Sequence, residues 1–415
     1  MKKKILILGG ASVHCKLVEV AQKLGCYTIV TDYLNNSPAK QIADESWNLN
    51  IMDVDLIVEK CKEEKVDAVI SGWLDPCQRP YCEICEKLGL PCYGTKEQFY
   101  QMTDKHAFKK MCIDNGVDVI PEYDERDIDK VEYPVFVKPV DNRGSRGQTV
   151  CYDKESLVKA IEYAKSESSN GDILIEKYMK DAEELQVTYF FVNGEPFLLR
   201  TTDSYCGSED NHLEKVVACA ISPSKHTEQY LKTSHNQVIK MFKRLGFMNG
   251  PIFMQGFVDK GVFRFFDPGL RFPGVDYERI YEKVFGISLM ELMVQIAVNG
   301  KCDQGVVLPK DGVNLNGKRA AVLFPTVKAG KVGKICGLEE LISDDHVVSV
   351  WRRCDVGDEV KWCYNVNQRS LEADILCDGT EQLKKYLKKF LSKYKVYDIN
   401  GNDMVFEIFD AERVI

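Results

Sequence analysis

Within its first hundred residues the chain alternates two hydrophobic periods, and that alternation restricts the fold more than any other feature. Ile5-Leu6-Ile7-Leu8 is a short apolar run of strand length that ends at Gly9-Gly10. Residues 13–24 then read as a helix closed by Gly25, 27–31 as a second strand, 54–64 as a helix and Ala68-Val69-Ile70 as another strand. Apolar strands separated by helices pack as a parallel sheet with helices on both faces. Ligands of such a sheet lie beyond the carboxyl ends of its strands. Here that selects Gly9-Gly10-Ala11-Ser12, the turn after Asp32, and Ser71-Gly72-Trp73-Leu74-Asp75. A dinucleotide fingerprint is incomplete at this place, because Gly9-Gly10-Ala11-Ser12-Val13-His14 lacks the spaced glycines that admit a pyrophosphate. A small-molecule crevice or a structural turn is the better reading, and Asp32 is not expected to be a ribose ligand.

At 415 residues the chain is too long for one core and suggests two or three domains. A formal charge of -8 argues against a nucleic-acid partner, since backbone binding requires clustered Lys and Arg. The one basic run, at 384–393, carries apolar residues at helical spacing and reads as the solvated face of a helix. The 16 cysteines are irregularly spaced and no secretory leader is evident, so reduced thiols and a cytoplasmic location are expected. Cys77, Cys82, Cys85 and Cys92 contain a single Cys-x-x-Cys, which is too little for a zinc ribbon, and they read as small core residues. No run is long enough to span a membrane; the longest apolar helix candidate, 287–298, is short and interrupted by Glu291 and Gln295.

After Tyr93-Gly94-Thr95 the pattern changes and a domain boundary is expected near 100. Thr103-Asp104-Lys105 caps a helix that ends at Asn115-Gly116. Strands follow through Val137, at 149–151 and at 173–175, with a helix at 155–165. A hairpin is expected across Asn193-Gly194 between 186–192 and 196–201, then a strand at 215–221, one helix over 228–245, and a second hairpin across Asp259-Lys260-Gly261 between 251–258 and 262–266. The remainder, from about 316, reads as a small α+β module with a helix at 382–393.

Two of these segments carry chemistry. Tyr133-Pro134-Val135-Phe136-Val137-Lys138-Pro139 sets a lysine at a strand end, directly before Asp141-Asn142-Arg143-Gly144-Ser145-Arg146-Gly147. A fixed cation beside glycines that expose backbone N–H groups suits a triphosphate, although this is not a Walker loop. On the second hairpin, Gln255 and Asp267 lie on adjacent arms and can face one side, an oxygen pair suited to Mg²⁺ together with phosphate oxygens. Arg271, four residues later, can bind a transferring phosphoryl group with its planar fork.

In this order and spacing the chain resembles the ATP-grasp superfamily of carboxylate-amine ligases, particularly the branch with carbamoyl-phosphate synthetase, biotin carboxylase and phosphoribosylglycinamide synthetase. The resemblance implies an α/β protein with a Rossmann-like pre-ATP-grasp domain at 1–100, a two-lobed ATP-grasp domain at 101–315 and a C-terminal lobe at 316–415. It implies that Lys105 and Lys138 reach the phosphates, and that the loop Gly144, Ser145, Arg146 and Gly147 closes on ATP. Glu176, Lys177, Tyr178 and Met179 resemble the hinge that holds the adenine edge, and Glu184 stands where the family keeps an acid near the ribose. Gln255 and Asp267 match the metal ligands, with Mg²⁺ or Mn²⁺ as the ion, and Arg271 matches the arginine of Glu-x-Asn-x-Arg. The chain departs from that motif at Asp267-Pro268-Gly269-Leu270-Arg271: its first ligand is one methylene shorter and Gly269 offers no ligand. If the family geometry holds, Gly269→Asn is expected to keep or raise metal affinity.

The implied activity is ATP-dependent phosphorylation of a small-molecule carboxylate, followed by attack of an amine and release of ADP and phosphate. Activation of bicarbonate or formate, and an ATP-binding module without turnover, are the alternatives. Acceptor contacts are expected at 202–212, with Asp203, Ser204, Tyr205 and His212, or in the crevice at Ser12 and Trp73. Relatives are often dimers, so a homodimer is implied; no membrane or nucleic-acid partner is expected.

Overall fold

The computed structural model describes residues 2–140, 147–180, 182–207, 216–274, 277–363, 365–407 and 409–415. The amino-terminal sheet is parallel throughout, in the order Glu45–Trp47, Tyr27–Thr31, Lys4–Leu8, Ala68–Ile70. Ile5, Leu6, Ile7 and Leu8 are all fully buried, as a strand covered on both faces requires. Gly10 N–H donates to Asp32 Oδ2 at 2.7 Å, so the Asp32 carboxylate ties the first turn to the second strand. That contact gives Asp32 a structural task.

Two antiparallel sheets form the rest of the cleft. A four-stranded sheet runs Glu122–Tyr123, Ile173–Lys177, Val135–Pro139, Thr149–Cys151 and is backed by the helix Lys154–Glu167, with its own small core around Val135, Val137, Leu157 and Ile175. An eight-stranded sheet runs Val262–Gly269, Gly250–Asp259, Glu183–Val192, Glu195–Cys206, Val217–Ser222, Arg319–Leu323, Leu371–Cys377, Val347–Arg352. Both expected hairpins form; Asn193 and Lys260 take positive φ of 49° and 50° ahead of Gly194 and Gly261 at 89° and 85°, the paired left-handed geometry of tight hairpins. The last three strands of the sheet lie beyond residue 316, so hydrogen bonding continues across the place where a separate module was expected to begin.

The helix expected over 228–245 is instead two, Thr227–Thr233 and His235–Arg244, bent at Ser234. The bend lets Tyr230 and His235 both reach the Tyr189 hydroxyl, at 2.7 and 2.8 Å. Cys77, Cys82 and Cys85 are buried on the helix Asp75–Leu88, and no metal-holding group of His, Cys, Asp or Glu occurs among the described residues. The basic run lies on the helix Thr380–Lys393, which buries Leu383, Leu387 and Phe390 and pairs its lysines with Asp344, Glu340 and Glu412. Among the described residues, no helix is long and apolar enough to cross a membrane.

Candidate functional site

The cleft is floored by one face of the eight-stranded sheet. Gln255 stands directly opposite both Asp267 and Gln186, and Gln186 stands opposite Thr202, so these four side chains share a face. The other face carries Leu185, Val187 and Tyr189 into the core. The polar face is itself enclosed: Gln186, Thr188, Arg200 and Thr202 are all at most 4% exposed. Gln186 Oε1 and Thr188 Oγ1 have no hydrogen-bond partner among the described residues. Buried polar atoms left unpaired are costly, which marks this floor as a surface that a ligand or water completes.

Lysines approach from the side. Asp104 caps the helix Lys105–Asp114 by accepting from Ala107 N–H at 2.9 Å, which fixes Lys105 in its first turn and Lys109 one turn later. Lys138 Nζ lies 2.6 Å from Glu176 Oε2, and Lys109 pairs with the other oxygen of Glu176 and with Glu122 at 3.1 Å. Burial alone would raise the Glu176 carboxyl, but the two lysines outweigh it and hold the group below its ordinary value. Burial, with Lys138 close by, lowers Lys105. Burial raises Asp267, against the pull of Lys105, Arg271 and Lys138. These mutual effects bring Lys105, Lys138, Arg271 and Asp267 together as one electrostatic cluster.

The hinge is more occupied than its sequence implied. Glu176 spends its carboxylate on two lysines, while Lys177 and Tyr178 N–H groups donate to Pro121 and Pro134 carbonyls at 2.9 and 3.0 Å. Met179 N–H is left as the donor of the segment with no backbone partner among the described residues. Glu184 accepts from Gln255 Nε2 at 3.4 Å and from Cys206 Sγ at 3.6 Å, and burial pushes its carboxyl up to about 7. It thus stands beside the metal-ligand candidate. Gly147, at φ 71°, has no room for a Cβ, which would lie 2.6 Å from Pro139. Gly144, Ser145, Arg146 and His212 lie outside the described residues.

Arg271 reaches out of the sheet to the start of the helix Asp75–Leu88. Its Nε and one terminal nitrogen grip both oxygens of Asp75 at 2.5 and 2.7 Å, and its guanidinium lies 4.6 Å from the Phe253 ring centroid. Gln78 bridges the same corner, donating to Asp75 at 2.9 Å and accepting from Leu270 N–H at 3.1 Å. Phe253 sets a steric limit at Gly269. A Cβ at Gly269 would lie 2.2 Å from the ring of Phe253, its cross-strand partner, so Gly269→Asn cannot keep the local packing.

Sequence reasoning missed Lys109, Gln186, Thr188, Asp75's grip on Arg271 and Phe253. Lys109 had a readable signal, its i+4 spacing from Lys105 on a capped helix. The others depend on strand register and on a contact between residues 196 apart.

With this geometry in hand, comparison with known proteins is informative. Residues 104–304 match the family model of the carbamoyl-phosphate synthase L chain ATP-binding domain, and residues 5–76 match the PylC-like N-terminal domain. The larger match is to an ATP-grasp domain and spans a little under half of the chain. It is 23% identical over 322 residues to the 2-oxoglutarate carboxylase small subunit of Hydrogenobacter thermophilus, covering 72% of this chain and 67% of the relative. It is 23% identical over 206 residues to the formate-dependent phosphoribosylglycinamide formyltransferase of Bacillus subtilis, covering 47% and 53%. Among solved structures it superposes on an L-amino acid ligase from Bacillus licheniformis with a TM-score of 0.76, at 18% identity and covering 96% of this chain and 99% of the other. The biotin carboxylase domain of the Hydrogenobacter 2-oxoglutarate carboxylase, solved with MgADP and bicarbonate, gives 0.78 at 18% identity, covering 97% and 91%. These superpositions establish the α/β ATP-grasp fold from one end of the chain to the other.

The donors present fit a divalent cation. Asp267 offers a carboxylate, and Gln255, opposite it on the next strand, offers an amide oxygen. Oxygen ligands of this kind suit Mg²⁺ or Mn²⁺.

Proposed function

We propose that the protein is an ATP- and Mg²⁺-dependent ligase that phosphorylates a small-molecule carboxylate and joins the activated acyl group to an amine. The observation that carries this reading is that Gln255 and half-buried Asp267 stand opposite one another on the floor of the cleft, with Lys105, Lys138 and Arg271 near enough to act on Asp267. Phosphoryl transfer asks a protein mainly for positioning and charge neutralisation. An oxygen of the substrate carboxylate attacks the γ-phosphorus, the bond to the β–γ bridging oxygen breaks and ADP leaves. The amine nitrogen then attacks the acyl carbon, phosphate departs and the nitrogen loses a proton.

In this reading Lys105 and Lys138 hold the phosphate oxygens, and Arg271 meets the charge on the phosphoryl group in flight with the donors that Asp75 and the Phe272 carbonyl leave open. Met179 N–H and the neighbouring backbone of Glu176, Lys177 and Tyr178 read the adenine edge. A bound Mg²⁺, held by Asp267 and Gln255, would supply charge neutralisation to the phosphates. The partly unpaired floor at Gln186 and Thr188 faces the acyl acceptor side.

A second reading, activation of bicarbonate or formate, is supported by the carboxylase and formyltransferase named among the relatives. Both are tested by ADP and phosphate release from purified protein with ATP and Mg²⁺ against pooled organic acids, bicarbonate and formate, each with and without pooled amines. Acid-dependent release that Lys138→Ala and Arg271→Ala each reduce at least 100-fold supports the assignment. Release surviving both substitutions overturns the site, and nucleotide binding without release for any acid identifies a non-catalytic module.

A further inference from the structure

We propose that Asp75 is a positioning residue of the phosphoryl-transfer site: it aims the open donors of Arg271 at the γ-phosphate, so that the segment following the amino-terminal sheet takes part in telling ATP from ADP. The inference rests on the ATP-site reading and adds to it which element sets Arg271. Three consecutive residues that follow the strand Val262–Gly269 are each bonded to the segment 72–78. Leu270 N–H donates to Gln78 Oε1 at 3.1 Å, the Arg271 guanidinium grips Asp75, and Phe272 N–H donates to the Gly72 carbonyl at 2.8 Å. Asp75 and Gln78 lie three apart on the helix Asp75–Leu88 and so share one side of it. Gln78 Nε2 donates to the Asp75 carboxylate at 2.9 Å, and the Trp73 ring stacks on Phe272 with centroids 5.6 Å apart, so the grip on Arg271 is itself held in place.

A guanidinium carries five N–H donors in one rigid plane. Asp75 takes Nε–H and one N–H of Nη2, at 2.5 and 2.7 Å, and the Phe272 carbonyl takes one from Nη1 at 2.9 Å. One N–H on each terminal nitrogen is left over, two coplanar donors that suit two oxygens of a phosphoryl group. The Phe253 ring lies against the guanidinium at 4.6 Å, in space that Gly269 leaves open by having no side chain. Contacts along one edge and one face therefore preset the plane of the fork, which is where a planar donor gains over a flexible one. The γ-phosphate is the part of ATP that ADP lacks. Because Asp75 acts on that contact through Arg271, its loss weakens discrimination between the two nucleotides and leaves the rest of nucleotide binding in place.

The test measures, by isothermal titration with Mg²⁺, the affinity for a non-hydrolysable ATP analogue relative to that for ADP. The wild type is expected to favour the analogue about 10-fold, the weight of one charge-assisted contact. Asp75→Asn keeps the shape and removes the charge; it is expected to cut that preference about 5-fold while ADP affinity stays within about 2-fold. In the Arg271→Ala background the same change is expected to move the ratio by less than about 2-fold, because its route runs through Arg271. Asp75→Glu keeps the charge on a longer arm and is expected to fall between wild type and Asp75→Asn; it carries the test alone where Asp75→Asn does not fold, an unchanged ratio overturning the inference. A preference that survives or rises in Asp75→Asn, or falls as far again in the Arg271→Ala background, overturns the inference. So does joint loss of both affinities in a folded Asp75→Asn chain, which marks a scaffold role only. A wild type that binds both nucleotides equally overturns it with the ATP site standing, and a wild type that binds neither overturns both.

Discussion

Glu176 is 2% exposed and answers two lysines at once. Removing its charge while keeping its shape leaves Lys109 and Lys138 enclosed with less counter-charge, the situation in which breaking a buried pair is costly. Glu176→Gln is expected to lose about 3 kcal/mol in urea denaturation and to weaken nucleotide binding. Glu184 makes the opposite electrostatic case. Its carboxyl sits near 7 instead of 4.5 because burial disfavours the charged form. The folded chain therefore holds this proton where the unfolded chain has released it, and stability must fall as pH rises from about 4.5 to 7. With the side chain partly exposed, roughly 1–2 kcal/mol rides on that window. Glu184→Gln should flatten the decline, and denaturation midpoints at pH 5 and pH 7.5 check it. At this scale the sequence was legible where strand alternation decides the outcome, as in the pairing of Gln255 with Asp267. It was silent where the effect is a shape in space: Gly269 reads as a missing ligand, and only the Phe253 ring across the strand shows that no ligand can fit there.

The elements that present these residues were largely readable. The strand Tyr27–Thr31, the helix Val54–Glu64 and the strand Ala68–Ile70 fall where their apolar periods end. Strong capping residues sharpened other edges, Asp104 above all. Asp104→Ala is expected to cost about 1 kcal/mol. Because the cap fixes the turn that carries Lys105 and starts the rise to Lys109, the variant should also bind nucleotide less tightly, a joint loss seen by calorimetry and denaturation on one sample. The bend at Ser234 escaped the sequence because the ladder of helical spacing runs through it unbroken; its cause is Tyr189, on another element, drawing in Tyr230 and His235 together.

Across the whole molecule, charges tie the amino-terminal sheet to the cleft. Lys16 and Glu278 pair at 2.6 Å, each about 5% exposed or less, and Lys16 lies 4.8 Å from the Trp73 ring, while Asp75 holds Arg271. Lys16→Met is expected to destabilise the chain by about 3 kcal/mol, because Glu278 loses a buried partner; a stability change below about 0.5 kcal/mol in urea would contradict that weight. The alternation of strand and helix declared the amino-terminal sheet, but nothing along the chain declares which charges meet between that sheet and the cleft, since register and docking choose them. All of this arrangement bears on one claim, that Lys138 and its neighbours form a nucleotide-phosphate site. Isothermal titration of a non-hydrolysable ATP analogue with Mg²⁺ into the wild type and Lys138→Ala tests it most directly: the account predicts that the wild type binds and that the variant binds at least 10-fold more weakly, whereas equal affinity, or no binding by the folded wild type, would contradict it.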